Sequence, residues 1–290
     1  MITCKFMGGL GNNLFQLANV YNIHKLRNIP YFIDRGFERL TFDGKLLKDD
    51  SRFNQSHIFE IPILFDNKFV YKDEVEYDFK NMTNYYHEDL KSTSNFKYVK
   101  PNLQSNIIHN GYYQSFKYFS DFDIKKEFVL NHDIIKKIKE KYSAVFTRPT
   151  ISLHYRLGGD RKISRIQKYH KNVSPKFYSK GLKIIANKTN RDIKDFNILL
   201  FSDDLELAKR ALKIYSIDAI PIKNTDNVED FIHMSMCDHN IIGNSTYGWW
   251  ASFFNKKEEK IQVVTKSEFF GPRYENFALE DLFPEDWIKL

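Results

Sequence analysis

The chain has 290 residues, of which 42% are hydrophobic and 16% aromatic, so it can bury one large core or two cores of ordinary domain size. This composition excludes a disordered or fibrous chain. A formal charge of +7 permits an anionic partner, but the lysines and arginines are scattered through helical stretches, so we expect no nucleic-acid partner.

The chain begins with a strand, a glycine-rich turn and a helix. Residues 2–6, ITCKF, have the pattern of a short strand, MGGLGNN follows, and an apolar helical pattern continues to about residue 26. The run YFID then predicts a second strand that ends at Asp34. This order of elements is typical of an α/β domain.

Regularity is lost after Asp34 and returns at residues 106–119, NIIHNGYYQSFKYF. Residues 132–148 have a helical pattern that Arg148-Pro149 interrupts, because the residue before a proline avoids helical backbone. We therefore predict an N-terminal α/β domain over 1–148 and a second domain over 149–290.

Short apolar runs alternate with helical patterns from Thr150 onward, as they do in βαβ units. The successive runs are TISLHY, SPKFYSKGLKIIANK, FNILLFS, DDLELAKRALKIY, AIPI, NVEDFIHMSMC, HNIIGN, STYGWWASFF and KIQVV. They predict about five parallel strands with covering helices between residues 150 and 265, which is a doubly wound parallel sheet.

The two cysteines, Cys4 and Cys237, lack the spacing of a zinc site and are predicted to be reduced, buried thiols. The start of the chain has no leader pattern, and no run of 18 apolar residues occurs. We therefore expect a cytoplasmic protein without an integral membrane segment, which leaves peripheral membrane contact open.

Metal binding has little support in the sequence. His233 and His239 are six residues apart, which is not the same-face spacing of a helical metal site. Asp121 and Asp123 alternate and could hold a divalent ion on phosphates, but this pattern is more typical of a helix start in an exposed turn. We predict no metal site.

The glycine-rich turn places backbone N–H groups and a positive helix end at one point, which suits a phosphate. A P-loop is excluded because Asn12, not lysine, follows Gly11. The dinucleotide pattern fits Gly9 and Gly11 but has Leu14 at its third glycine, although Asp34 stands where a ribose-binding carboxylate would be. The asparagine side chains could instead contact a phosphate or a sugar, or the segment could be a ligand-free turn with a helix cap.

A cluster of charged residues follows the first strand of the predicted C-terminal sheet. LHYRLGGDR, residues 153–161, contains His154, Arg156, Asp160 and Arg161. Ligands bind at the carboxyl ends of such strands, where an arginine can bond a pyrophosphate. The alternative is a surface salt bridge between Arg156 and Asp160.

Two further clusters follow later strands. FSDDLELA places Ser202 and Asp203 at a strand end, where either residue could also serve as a helix cap. GNSTYGWW places Asn244, Ser245 and Thr246 at a helix N-terminus, which suits phosphate oxygens. The tryptophans that follow, residues 249–250, are predicted to lie in the helix core rather than to form a sugar platform.

Five stretches within residues 7–255 resemble, in family order, motifs of the α-1,2-fucosyltransferases of glycosyltransferase family 11. GGLGNNLFQLA, GYYQSFKYF, HYRLGGDR, FSDD and IIGNSTYGWWASFFN resemble the family's GGLGNQLFQYA, GYFQSxKYF, HxRRGDY, SDD and NSTFSWWxAxLN. The resemblance implies a GT-B-like fold with two Rossmann-like domains facing a crevice. It also implies inverting transfer of L-fucose from GDP-fucose, without a metal cofactor, to an oligosaccharide acceptor, with O2 of a terminal galactose the expected position.

The resemblance also assigns site residues. Arg156 would hold the pyrophosphate, Asp203 would lie near the guanosine, and Asn12 would approach the donor from the first domain. Arg156 and Asp160 are the expected catalytic residues. The expected donor-binding residues are Gly9, Gly11, Asn12, His154, Arg156, Arg161, Ser202, Asp203, Asn244, Ser245 and Thr246.

One loop departs from the family pattern. Leu157 replaces the second arginine, an extra glycine precedes Asp160, and Arg161 replaces the tyrosine, so Arg161 could supply the lost charge. The departure leaves three further functions open: transfer of another GDP-linked deoxysugar, an NAD-dependent oxidoreductase based on the glycine turn and Asp34, and a carbohydrate-binding protein without turnover.

Overall fold

The computed structural model describes residues 1–34, 57–77, 80, 82–88 and 96–290, except for the side chain of Asp160. The chain forms two compact units. Unit 1 comprises Met1–Leu130 and Phe277–Pro284, and unit 2 comprises Asn131–Asn276 and Glu285–Leu290.

Unit 2 begins earlier than the domain predicted to start at residue 149. The sequence places helix α4, His132–Lys141, in the first domain, but this helix packs on helix α8, Asn227–Met236. Lys137 of α4 forms an ion pair with the buried Glu229 of α8. This contact makes α4 part of unit 2, although its sequence pattern alone could not show which sheet it covers.

Unit 1 contains a parallel three-stranded sheet within its described residues. Its strands are β1 (Ile2–Cys4), β2 (Asn84–His87) and β3 (Ile107–Asn110), in the order β1-β3-β2. The predicted first strand is therefore present. The run YFID forms only single bridges, at Tyr31 and Ile33, and β2 has no sequence prediction because NYYH is mostly exposed and has no apolar alternation.

The described helices of unit 1 are α1 (Leu10–Arg27), α2 (Ile61–Leu64) and α3 (Ile124–Glu127). Helix α1 covers the sheet with a buried apolar stripe that includes Leu14, Leu17 and Val20. It ends at Asn28, which adopts the left-handed conformation common after helices. Basic residues in its last turn complement the helix dipole.

Unit 2 contains a parallel six-stranded sheet, with one strand more than predicted. The strands are β4 (Thr150–His154), β5 (Asn197–Phe201), β6 (Ile220–Pro221), β7 (His239–Ile242), β8 (Gln262–Val264) and β9 (Ile288–Lys289). Their order, β6-β5-β4-β7-β8-β9, is that of a doubly wound dinucleotide-binding sheet. The chain runs outward in one direction from β4 and in the other from β7, so the topological switch point lies between these two strands.

Helices cover the sheet of unit 2 and bury its core. Besides α4 and α8 they are α6 (Pro175–Thr189), α7 (Leu205–Lys213) and α9 (Thr246–Phe253). The short helix α5 (Ser164–Gln167) has no buried residue and follows the loop after β4. Leu153, Leu200 and Ile241 of adjoining strands pack with Leu182 of α6 and Leu212 of α7. The predicted alternation of strands and helices from Thr150 to β8 is confirmed.

Several smaller predictions are also confirmed. Cys4 and Cys237 are free and buried. Trp249 and Trp250, on helix α9, are buried in the protein core, with at most 1% of each residue exposed. Within the described ranges, no helix combines the length and apolar character needed to cross a membrane.

Candidate active site

The three polar clusters of unit 2 meet at one edge of its sheet. Strands β5, β4 and β7 are neighbours, and their last residues Phe201, His154 and Ile242 are in register. The segments that follow therefore begin side by side at the switch point, where ligands bind in doubly wound sheets.

Asp203 organises the segment that follows β4. Its Oδ1 accepts hydrogen bonds from the backbone N–H groups of Leu157 and Gly158, both at 2.8 Å, and its Oδ2 lies 3.9 Å from Nε of Arg156. A Cβ atom at Gly158 would lie 2.8 Å from the carbonyl oxygen of Asp203, so the close approach requires glycine. The half-exposed Arg156 is thus presented from a fixed loop.

His154 ends β4 and is buried. Its carbonyl oxygen accepts hydrogen bonds from the hydroxyl of Tyr178, at 2.8 Å, and from N–H of Gly243, at 3.2 Å. Burial lowers the pKa of the imidazole to about 4, so the ring is neutral at physiological pH. Its buried Nδ1 has no hydrogen-bond partner among the described residues and faces the first turn of α9, where a Cβ atom at Gly248 would lie 2.6 Å away.

Ser245 and Thr246 occupy the N-terminus of α9. Ser245 is the N-cap residue, but its side chain accepts no capping hydrogen bond, and its buried Oγ has no partner in the part of the chain described. Thr246 is the first helical residue and is half-buried, and the first turn contains no acidic side chain. Two buried polar atoms, Ser245 Oγ and His154 Nδ1, thus lie at one helix start, together with its N–H groups.

Arg161 and Asn244 join the loops beneath this helix start. The buried guanidinium of Arg161 donates to the carbonyl oxygens of Asn244, at 3.0 Å, and Lys171, at 3.3 Å. The side-chain amide of Asn244 donates to the carbonyl oxygens of Lys171, at 2.6 Å, and Phe269, at 3.2 Å. Both side chains therefore fix the backbone by hydrogen bonds, and Arg161 also places a positive charge beside the start of α9.

Two predicted residues of this sheet edge remain, Ser202 and Asp160. The structure describes the side chain of Ser202 but only the backbone of Asp160. The hydroxyl of Ser202 accepts a hydrogen bond from N–H of Asp204, at 3.1 Å, and Asp204 caps α7. This arrangement matches the interpretation of Ser202 as part of a helix start. The backbone of Asp160 lies in a 3₁₀ turn, Gly159–Lys162, and its side chain lies outside the described residues.

The glycine turn of unit 1 has one position that requires glycine and one that is open. Gly8 has a φ of +80°, and a Cβ atom there would lie 2.3 Å from Nδ2 of Asn12. Gly9 is exposed and precedes α1, and the nearest atom to a Cβ there would be Cδ2 of His57, at 4.0 Å. Gly11 is buried in the first turn of α1. The exposed backbone at Gly9 is where a ligand could approach α1.

Amide side chains tie this turn to the segment after β3. Asn12 Oδ1 accepts from Nε2 of Gln114, at 2.7 Å, and Nε2 of Gln16 donates to the carbonyl oxygen of Gly111, at 2.9 Å. Asn13 donates to the carbonyl oxygen of Met7 at 3.1 Å. The first two resemblance motifs are thus hydrogen-bonded to each other, and both asparagines of the turn have a structural role.

Glu88 is a buried residue that the sequence does not single out. Its Oε2 accepts from the backbone N–H groups of Tyr112, at 2.7 Å, and Tyr113, at 2.9 Å, and a Cβ atom at Gly111 would lie 2.6 Å from the same oxygen. Burial raises the pKa of this carboxyl group. Glu88 fixes the loop that carries Gln114, and its position is hidden in the sequence because β2, which precedes it, has no periodic pattern.

The residues behind the dinucleotide and metal hypotheses have other partners. Asp34 forms an ion pair with Lys72, at 2.7 Å, and Asp123 caps α3. Asp121 accepts a hydrogen bond from Nδ2 of Asn22, at 3.2 Å. No group of three or more histidine, cysteine or acidic residues that could hold a metal ion occurs in the described ranges.

Comparisons with known proteins agree with this geometry. The model of glycosyl transferase family 11 matches residues 1–290. The chain is 26% identical over 323 aligned positions to the O-antigen biosynthesis glycosyltransferase WbnK of Escherichia coli, with 100% of each chain covered. It is 22% identical over 298 positions to an alpha-1,2-colitosyltransferase of Escherichia coli, covering 100% of this chain and 99% of that one.

A solved structure shares the fold. POFUT1, crystallised in complex with GDP-fucose, superposes with a TM-score of 0.53 at 14% identity, covering 91% of this chain and 97% of that chain. The prediction of an α/β, GT-B-like fold class is confirmed. The chain acts as a glycosyltransferase and belongs to glycosyl transferase family 11.

Proposed function

We propose that the protein transfers L-fucose from GDP-fucose, with inversion, to O2 of a terminal galactose in a glycan. Family membership, and a fold shared with a protein that binds GDP-fucose, support the donor. The motif resemblance to α-1,2-fucosyltransferases supports the acceptor position.

The unsatisfied polar atoms at the start of α9 carry this proposal. Ser245 Oγ and His154 Nδ1 are buried without a described partner, and buried polar atoms are nearly always hydrogen-bonded. A diphosphate offers acceptor oxygens to the serine hydroxyl, to the histidine tautomer protonated on Nδ1, and to the N–H groups of the helix start. A nucleotide diphosphate therefore fits the chemistry of this site.

The charged residues around the helix start suit a leaving diphosphate. During transfer the acceptor oxygen bonds to C1 of the sugar while the bond from C1 to the β-phosphate oxygen breaks, so negative charge grows on GDP. Arg156 is proposed to bond these oxygens, each charge-assisted bond being worth about 1.5–3 kcal/mol. Arg161 adds positive charge to the same loop cluster, so we propose that no metal cofactor is needed.

The remaining predicted residues take lesser parts in the proposal. Thr246 is proposed to contact the phosphates at the helix start, and Asp203 to lie near the guanosine while it holds the Arg156 loop. Gly9, Gly11 and Asn12 in unit 1 stay predicted donor-binding residues. Inversion also needs a base for the acceptor hydroxyl proton, for which Asp160 is the sequence candidate.

Transfer of a different GDP-linked deoxysugar is the second candidate function. Two observations favour it: the relative named for colitosyl transfer, and Leu157 at the position of the family's second arginine. It uses the same diphosphate site, so only the sugar distinguishes the two candidates.

A thermal-shift titration tests the donor. GDP, GDP-fucose, GDP-mannose, UDP-galactose and NAD are each added to the protein, because a ligand of the native state stabilises it by about 2.7 kcal/mol at 100 times its Kd. We expect stabilisation by GDP and GDP-fucose and none by UDP-galactose or NAD. Stabilisation by NAD, or by no nucleotide, would refute the proposal.

Replacing Arg156 tests the site itself. Arg156→Ala should abolish transfer and leave the unfolding transition unchanged, because the side chain is half-exposed. Arg191→Ala is the matched control, since Arg191 is exposed in the segment before β5, at the opposite sheet edge. Near-normal turnover in Arg156→Ala would contradict the assignment of this edge as the donor site.

A further inference from the structure

Helices α6 and α7 form one surface of unit 2. The two helices pack side by side, and Leu200 of β5 lies in the core cluster that both of them line. The next residue, Phe201, points to the other face of the sheet, where its ring contacts that of His233 in α8. Helices α6 and α7 therefore cover the face opposite to the one covered by α8 and α4.

The solvent side of α6 and α7 is basic. Its exposed charged residues are Lys176, Lys180, Lys183 and Lys188 in α6, and Glu206, Lys209, Arg210 and Lys213 in α7. Glu206 is the only acidic residue in either helix. The lysines at 176, 180 and 183 follow each other at spacings of four and three residues, which places them along one side of α6. This surface therefore carries a continuous excess of positive charge.

Two apolar side chains extend the basic surface at the end of α7. Ile214 is 78% exposed and Tyr215 is 40% exposed. The chain then turns at Ser216, which has a φ of +56°, and N–H of Ile217 donates to the carbonyl oxygen of Leu212 at 3.3 Å. This is the long hydrogen bond of a Schellman motif, and both of its residues are buried in the core of unit 2. The exposed pair is thus held outward by an anchored turn.

A bilayer with anionic lipid headgroups matches both features of this surface. Its negative potential attracts lysine and arginine side chains, and its headgroup region accepts aliphatic side chains and tyrosine rings. A nucleic acid would use the lysines but would leave the aliphatic side chain of Ile214 in water. The combination of charge and exposed apolar area therefore favours a lipid surface.

We propose that unit 2 docks on an anionic membrane surface through α6 and α7, with Ile214 and Tyr215 in the headgroup region. Helix α7 runs from the carboxyl end of β5 to the amino end of β6, so its last turn lies at the sheet edge opposite to the candidate active site. Docking through this end leaves the carboxyl edge open to a nucleotide sugar. The inference concerns unit 2 by itself and does not depend on the identity of the donor.

Flotation of the full chain with lipid vesicles tests the charged part of the surface. The vesicles contain phosphatidylcholine alone or with phosphatidylglycerol, and we expect binding only to the latter, weakened by added salt. Replacing Lys180 and Lys183 together by glutamine should weaken this binding by about 25-fold, because each basic residue near an anionic surface contributes about fivefold. The matched control replaces Lys136 and Lys139 by glutamine, since both are exposed on α4 at the opposite face.

Ile214→Ser tests the apolar part of the surface. It should weaken vesicle binding by about five- to tenfold at low and at high salt, because salt does not screen the burial of apolar area. Leu26→Ser is its control, since Leu26 is 49% exposed on α1. Each variant is first shown to unfold as the wild type does.

Three results would overturn the inference. The first is equal binding by the α6 and α4 double variants, which would mean that only net charge matters. The second is an affinity of Ile214→Ser equal to that of the wild type. The third is wild-type protein that binds heparin but no vesicle, which would indicate a polyanion rather than a lipid surface.

Discussion

Replacing Asp203 by alanine should loosen the loop that presents Arg156. The carboxylate accepts two backbone hydrogen bonds of 2.8 Å, from Leu157 and Gly158, and a charge-assisted hydrogen bond contributes about 1.5–3 kcal/mol. The Asp203 side chain is 38% exposed, so the lower value applies to each bond. The free energy of unfolding of unit 2 should therefore fall by about 3 kcal/mol in Asp203→Ala.

Asp203→Asn should lose about half as much free energy, because the amide oxygen still accepts but carries no charge. Asp218→Ala removes an exposed aspartate of the same unit and should change little. Urea unfolding followed by tryptophan fluorescence measures this unit, since Trp249, Trp250 and Trp287 all belong to it.

An unfolding free energy of Asp203→Ala within about 0.5 kcal/mol of wild type, on the scale of ordinary surface substitutions, would refute this role of Asp203 in the loop. Weaker GDP binding without a loss of stability would instead indicate that Asp203 serves mainly to contact the guanosine. The two roles are therefore separated by measuring unfolding and GDP affinity in the same variant.

Three further predictions concern packing, pH and metal. Gly248→Ala should lower the free energy of unfolding by about 1–3 kcal/mol and weaken GDP binding, because the new Cβ would lie 2.6 Å from Nδ1 of His154. Gly159→Ala is the control: residue 159 has a φ of +53° but open space around it, so the substitution should lower the free energy of unfolding by about 1–2 kcal/mol and keep GDP binding. Burial lowers the pKa values of His154 and His233 to about 4, so the unfolded state takes up protons first as the pH falls below about 6.5. At pH 5 each histidine should therefore lower the free energy of unfolding by about 2 kcal/mol. Asp230, whose pKa is raised to about 6, acts in the opposite direction and should add about 1 kcal/mol at that pH. Equal urea midpoints at pH 7.5 and pH 5 would contradict this. Transfer activity should persist in excess EDTA, and a complete loss that Mg²⁺ or Mn²⁺ restores would refute the metal-independent mechanism.

The fold of unit 2 is more predictable from the sequence than that of unit 1. Strands β4, β5, β7 and β8 are short, mostly buried runs, and three of its helices have clear caps, at Ser174, Asp204 and Asp226, so local pattern and tertiary structure agree. Strand β2 is mostly exposed, and β9 has only two residues, so neither has a periodic signal. Tertiary pairing, which a local pattern does not contain, forms both strands.

The candidate site is predictable where strand ends carry it. Parallel strands end at the same sheet edge, so the clusters at His154, Asp203 and Ser245 can be brought together from their positions alone. Residue types alone do not show which polar atoms form hydrogen bonds with the backbone and which are left for a ligand. Asn244 and Ser245 are adjacent, but the Asn244 amide donates to the carbonyl oxygens of three residues, whereas the Ser245 hydroxyl has no described partner.

Burial determines which position of the HYRLGGDR loop can carry a second positive charge. Leu157 is 5% exposed and packs in the core of unit 2, so an arginine side chain in that place would have to bury its charge among apolar groups. Gly159 adopts a left-handed φ of +53°, and the chain then brings Arg161 to the carbonyl oxygens of Asn244 and Lys171. A positive charge is thus present in the loop, four residues after the apolar position, where hydrogen bonds compensate its burial. A leucine at residue 157 and an arginine at residue 161 are therefore compatible with one backbone, whereas the reverse exchange would leave a buried guanidinium without these acceptors.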